Sequence, residues 1–159
     1  MMSLVSFPDA APEVSAGALL AGKHRLAVRV YYEDTDASGI AYHASYLRWF
    51  ERGRTEMLRI TGIALREEFD AGVGYFAVHD MQIVWHRPAR HDDALTIVTY
   101  VDRVRAAAVV MAQSVVHRGD MLCTASVTAA FLDMEGRPRR LPRDWTKSFT
   151  SLSLLAKSD

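Results

Sequence analysis

The sequence predicts an α+β protein in which a five-stranded antiparallel sheet wraps around one apolar helix. Three observations carry that prediction. Five stretches read as strands, with apolar residues alternating at period two. One stretch between the first and second repeats large apolar residues at spacings of three and four. The four later strands follow one another through short links, which favour antiparallel neighbours.

The first strand spans His24 to Glu33, with Leu26, Val28, Val30 and Tyr32 on one face. It ends in the turn-forming run Asp34-Thr35-Asp36-Ala37-Ser38-Gly39. The helix follows from about Ala44 to Thr61. Tyr46, Phe50, Gly53, Met57 and Ile60 form its stripe, widened by Leu47, Trp49 and Leu58, opposite Arg48, Arg52, Thr55 and Arg59. A glycine inside a helix costs about 1 kcal/mol against alanine, so Gly53 implies a close packing partner. A short second helix is expected at Leu65 to Phe69, closed by Gly72 and Gly74. Strands follow at Tyr75–His86, Ala94–Val104, Ala106–His117 and Met121–Leu132, with Arg118-Gly119-Asp120 as a hairpin turn. Pro142 opens a short C-terminal helix.

The chain of 159 residues suits one domain, read as residues 23–159 behind a flexible arm at 1–22 that is rich in Ala, Ser, Pro and Gly. Nineteen basic residues balance nineteen acidic ones, which argues against a broadly basic nucleic-acid surface. The single cysteine, Cys123, excludes an internal disulfide and a cysteine-cluster zinc site, and it fits a cytoplasmic protein. His79, Asp80 and His86 lack metal-ligand spacing, so neither a metal nor another cofactor is expected. No run approaches the roughly 18 apolar residues of a membrane span. No secretory leader is expected, since the first basic residue is Lys23.

Polar and aromatic residues crowd between Tyr31 and His43, where a strand end leads into a helix N-terminus. The first turn of a helix offers unpaired N–H groups and a partial positive charge, both of which stabilise an oxyanion. A carboxylate just upstream supplies a base or a nucleophile. Those parts suffice for a thioester, whose thiol leaving group has a pKa of about 8.5 and needs no proton donor. No nucleophile elbow and no phosphate-binding loop is present.

The run from Val30 to Glu56, Val-Tyr-Tyr-Glu-Asp-Thr-Asp-Ala-Ser-Gly-Ile-Ala-Tyr-His-Ala-Ser-Tyr-Leu-Arg-Trp-Phe-Glu-Arg-Gly-Arg-Thr-Glu, resembles the signature of the hotdog-fold acyl-CoA thioesterases. More narrowly, it resembles the tol-pal system-associated branch of the 4-hydroxybenzoyl-CoA thioesterase-like family. The likeness extends through Trp85 to Asp93 and covers roughly residues 24 to 143.

The resemblance implies a hotdog fold and hydrolysis of acyl-CoA, or of acyl carrier protein thioesters, to a carboxylic acid. It places the family's carboxylate on Asp36, as nucleophile or general base, and the other two site positions on Tyr32 and His43. The His43 N–H corresponds to the group that polarises the thioester carbonyl. Glu51, two turns into the helix, is the backup carboxylate, because another hotdog clade carries its catalytic carboxylate on the helix. Asp34 is assigned to the turn.

Arg87, Arg90 and Arg105 are candidates for the phosphates of CoA, and Trp49 and Phe50 for the acyl pocket. One sheet leaves the helix half covered, so a homodimer or homotetramer is expected, and the resemblance implies a site between protomers. Two alternatives remain: a hotdog hydratase or dehydratase acting on acyl thioesters, and a non-catalytic acyl-CoA-binding module.

Overall fold

The computed structural model describes residues 13–158. Strands β1 (Ala18–Leu20), β2 (Lys23–Arg29), β3 (Tyr75–Trp85), β4 (Ala94–Arg105), β5 (Ala108–His117) and β6 (Asp120–Leu132) form one sheet. Helices α1 (Ser45–Ile60), α2 (Leu65–Asp70) and α3 (Arg143–Ala156) complete the described elements. The architecture is α+β, but the sheet has six strands rather than five, in the order β1-β2-β4-β5-β6-β3. All its ladders are antiparallel.

The added strand, β1, lies in the stretch assigned to the arm and pairs with β2 from Ala18↔Arg25 to Leu20↔Lys23. Its three residues are too few for periodicity to reveal. The rest of that arm up to residue 12 lies outside the described residues. The C-terminal helix runs for 14 residues, longer than expected, and buries Phe149, Leu152, Ser153 and Ala156. The sheet therefore carries two substantial helices rather than one.

Strand neighbours follow link length. The tight turns at 106–107 and 118–119 join true hairpins, and Arg118 and Gly119 both take positive φ, at 49° and 88°, as a type I′ turn requires. The longer link at 86–93 instead carries the chain across the sheet. β3 therefore pairs with β6, and β4 lies between β2 and β5. Short-link reasoning had placed β3 beside β4.

Strand β2 stops at Arg29, where its partner β4 begins, as the register Arg29↔Ala94 shows. The chain then enters a 3-10 turn at Tyr32–Asp34 rather than continuing as strand to Glu33.

Helix α1 presses Tyr46, Trp49, Phe50, Gly53, Met57 and Leu58 into the core. Leu47 and Ile60, expected on that stripe, stand on its exposed side. Gly53 explains itself through contact: a Cβ there would sit 2.7 Å from Thr99 Oγ1 and 3.0 Å from Ile97 Cγ2. The sheet and helix approach too closely at that point for any side chain.

Candidate active site

The segment between the 3-10 turn and α1 is a loop folded on its own backbone. Asp34 is buried, and its carboxylate accepts the Tyr31 N–H at 2.9 Å. Its carbonyl accepts the Tyr42 N–H at 2.6 Å and the Ser45 hydroxyl at 3.1 Å. Asp34 is thus consumed by the turn, as its assignment required. Asp36, two residues on, is exposed. Its backbone bonds Ile40, and its Oδ1 accepts both the N–H (2.8 Å) and the hydroxyl of Ser38. Those donors, helped by the positive potential of His43, hold the Asp36 carboxyl below the usual carboxylate range against a smaller opposing effect of desolvation.

The loop is tied to the 86–93 link. The Ala41 N–H donates to the Ala89 carbonyl at 2.8 Å, and Ile40 forms a bridge with Arg90. Between the two segments lies an open cavity of about 340 Å³ lined by Asp36, Ile40, Ala41, His43, Tyr46, Trp85, His86, Arg87 and Pro88. His43 packs against Tyr42 and meets Trp85 edge-on at 6.1 Å. The flanking Tyr42 and Ser45 N–H groups are used within the protein. Among the described residues, the His43 and Ala44 N–H groups donate to no protein acceptor. A carboxylate, an imidazole and the unspent N–H of His43, just ahead of a 16-residue helix, therefore share one cavity.

Of the predicted positions, Asp36, His43 and Arg87 come together here, Arg87 pairing with Asp120 at 3.1 Å. Tyr32 does not join them. It leaves the core face expected of it, is 84% exposed, and lines a neighbouring recess with Thr35, Asp36, Ala37, Gly39 and His91. The end of β2 at Arg29 explains this, since Tyr32 no longer follows strand alternation. Arg90 lies outside the cavity lining, although its backbone is fixed by Asp93. Arg105 sits elsewhere, at the far end of β4 in a cleft with Arg140, Arg143 and Lys147.

Trp49 and Phe50, expected to shape the acyl pocket, are sealed in the core at 1% and 0% exposure. Glu51 lies on the flank of α1, where its carboxylate accepts the Thr55 hydroxyl at 2.6 Å. With Arg54 and Thr55 it lines a cavity of about 150 Å³ whose other walls are the apolar Leu58, Leu65, Phe76, Val78, Met111 and Ala129.

Sequence reasoning missed Tyr46, Trp85 and His86 as site residues. Tyr46 was legible only as core, and Trp85 and His86 reach the site through a crossover that the predicted strand order excluded. Among the described residues, no group of three or more His, Cys, Asp or Glu side chains is placed to hold a metal ion.

The profile of the thioesterase-like superfamily matches residues 30–150, most of the chain and all of this site. The chain belongs to the thioesterase-like superfamily. It is a thioester hydrolase, the class that this membership and the curated relatives together show. The acyl-CoA thioester hydrolase YbgC of Escherichia coli O157:H7 is 39% identical over 127 residues, which span 79% of this chain and 94% of the relative. The acyl-CoA thioesterase YbgC of Haemophilus influenzae is 36% identical over 126 residues, 79% of this chain and 93% of the relative. Among solved structures, the probable thioesterase of Bartonella henselae superposes with a TM-score of 0.72 at 45% identity, covering 76% of this chain and 99% of its own. The DHNA-CoA thioesterase of Staphylococcus aureus shares the fold at 20% identity, with a TM-score of 0.79 over 86% of this chain and 94% of its own.

Proposed function

We propose that this thioester hydrolase cleaves acyl-CoA to CoA and a carboxylic acid, with Asp36 as the catalytic carboxylate. The observation that carries the reading is the juxtaposition in one cavity of the exposed, ionised Asp36 with His43, whose N–H, like that of the following Ala44, is unspent among the described residues. The thioester carbonyl oxygen accepts those N–H groups, and charge building on it in the transition state is met by the helix N-terminus. Asp36 either attacks the carbonyl carbon, giving a mixed anhydride that water then opens, or removes a proton from the attacking water. In both routes the C–S bond breaks and CoA leaves as thiolate. The curated relatives named as acyl-CoA thioesterases support CoA as the carrier, and an acyl carrier protein thioester presents the same group. The long signature from Val30 to Glu56 further supports placement in the tol-pal system-associated branch.

Assembly completes the proposal. β3 lies at the edge of the sheet, and its eleven residues include the exposed Val78, Val84 and Trp85. A long apolar edge strand invites pairing with a second copy, which supports at least a homodimer. Trp85 belongs both to that edge and to the site cavity, so a second copy on β3 stands beside the chemistry. Arg87, which lines the cavity, is placed to meet CoA phosphates, with Arg90 three residues on in the chain and Tyr32 in the adjoining recess. Among the described residues no helix is long and apolar enough to cross a membrane; together with the lone buried cysteine, this supports a cytoplasmic location.

The test is thiol release across a series of aliphatic and aromatic acyl-CoA substrates, run on the parent and on Asp36→Asn. Turnover by the parent and its loss in the variant, with CoA binding retained, are expected. Full activity in the variant would remove Asp36 from the chemistry. Hydration of an enoyl-CoA without thiol release would replace hydrolysis as the reaction.

A further inference from the structure

Tyr46 is the most enclosed polar side chain of the site. It stands in the first turn of α1 and is 2% exposed. Its ring packs against Trp49 at 4.9 Å between centroids and meets Trp85 edge-on at 6.4 Å. Its hydroxyl oxygen accepts the Ala89 N–H at 3.0 Å. Ala89, itself fully buried, turns its carbonyl to the Ala41 N–H. One phenol thereby joins α1, the 86–93 link and the Asp36 loop.

A phenol carries one hydrogen in addition to its acceptor positions. The oxygen is engaged by Ala89, yet the hydrogen meets no protein acceptor among the described residues. Tyr46 also lines the cavity that holds Asp36 and His43. Of the other polar members of that cavity, His86 faces Thr124 at 3.0 Å, and Arg87 is exposed with Asp120 beside it. Burial raises the phenol above its ordinary range, with the Ala89 N–H opposing weakly, so the proton stays on oxygen.

We infer that Tyr46 is a further substrate-contacting residue, its O–H donating to an oxygen of the bound thioester alongside the N–H groups at the start of α1. The inference rests on the thioester hydrolase reading and adds to it a side-chain donor that the signature positions Tyr32, Asp36 and His43 leave out. The Ala89 N–H serves to orient that donor: it occupies the phenol oxygen from one side and leaves the hydrogen for the cavity. No atom is transferred from Tyr46. It supplies a hydrogen bond that strengthens as the carbonyl oxygen gains charge.

The experiment compares the parent, Tyr46→Phe and Asp36→Asn for kcat and KM on one turned-over acyl-CoA, with melting temperatures taken alongside. Tyr46→Phe keeps the ring and its packing. Loss of an oxyanion donor typically costs about 10²–10³-fold in kcat, and a fall of that order with KM nearly unchanged is expected. A kcat within a few-fold of the parent overturns the inference, whatever the melting temperature does, because a purely structural phenol would register only in stability.

Should Tyr46→Phe fail to fold, a ring-fluorinated tyrosine placed at position 46 keeps both hydrogen bonds and makes the phenol more acidic. The alkaline limb of kcat then moves to lower pH if the O–H is the donor, and an unmoved limb overturns the inference. A parent that releases thiol while Tyr46→Phe matches it removes Tyr46 alone. A parent inactive on every acyl-CoA removes the hydrolase reading and this inference together.

Discussion

Helix α1 meets polar chemistry in two places, and they are built in opposite ways. In its middle, Gln113 on β5 is buried and fully used: its Nε2 donates to the Phe50 carbonyl at 2.9 Å and to Thr99 Oγ1 at 2.8 Å, and its Oε1 accepts Arg54 Nη1 at 2.9 Å. A guanidinium can only donate and a carbonyl can only accept, so these partners fix which end of the amide points where. At the helix start, the Asp36 carboxylate is exposed and the His43 and Ala44 N–H groups are unspent. The closed network holds the helix against the sheet. The open end keeps its hydrogen-bonding capacity for something that arrives. The contrast separates structure from function more sharply than residue type does, since both regions contain charged and amide groups.

Breaking the open end has the largest expected effect. Asp36→Asn should lower kcat by about 10²–10⁴-fold, the usual worth of a positioned base, and by more if the carboxylate is itself the nucleophile. Its melting temperature should barely move, because the side chain is exposed. Breaking the closed network should do the reverse. Gln113→Leu strands the half-buried Arg54 and the Phe50 and Thr99 partners, and each unsatisfied buried group costs about 1–3 kcal/mol. A melting or denaturant titration should show a loss of about 2 kcal/mol or more, while the remaining folded enzyme turns over normally. A stable, inactive Gln113→Leu protein would contradict the division of labour.

That division also marks what the sequence could reveal. Elements with strong periodicity were legible: α1 and α2 lie within a residue of their expected ends, and the starts of β3 and β4 agree with expectation. Gly53 announced the close approach that Thr99 and Ile97 make. Strand order was not legible, because hydrophobic alternation says which face a residue occupies and not which strand lies alongside. The length of the 86–93 segment is the available signal, and counting it among the short links hides the crossover.

For the site, the spacing from Asp36 to His43 placed both on the loop before α1, because that distance is covered by the local chain. Tyr46, Trp85 and His86 escaped notice because their arrival depends on β3 pairing with β6 and on the bond from Ala89 to Tyr46. Tyr32 leaves its expected face for a local reason: the strand ends four residues earlier than its pattern, and the face assigned to Tyr32 ceases to exist.

A subtler change sharpens the open end without removing it. Ser38 donates both its hydroxyl and its N–H to Asp36, and Ser38→Ala removes the hydroxyl alone. The Asp36 carboxyl lies below its ordinary range chiefly because of those bonds, so the ionised form persists to lower pH than for a free carboxylate. Activity that needs the carboxylate is complete above that range and is lost as pH falls through it. Ser38→Ala should therefore bring the acid limb of kcat/KM to higher pH, with activity near neutrality retained. An acid limb that stays in place would mean that another group sets it.

The smallest effect is expected at Glu51, and its smallness is informative. Both Glu51 and Asp36 are exposed carboxylates associated with α1, and charge alone does not choose between them. Their surroundings do. Asp36 shares its cavity with the unspent N–H of His43, whereas Glu51, in the wall of a largely apolar cavity, accepts the Thr55 hydroxyl and lends its charge to Arg54. Glu51→Gln keeps a side chain able to accept from Thr55 and surrenders an interaction between neighbouring helix positions worth about 0.2–0.5 kcal/mol. Turnover should match the parent, and the melting temperature should fall slightly. If Glu51→Gln instead abolishes turnover while Asp36→Asn does not, the catalytic carboxylate lies on the helix flank and the open helix end is left with binding alone.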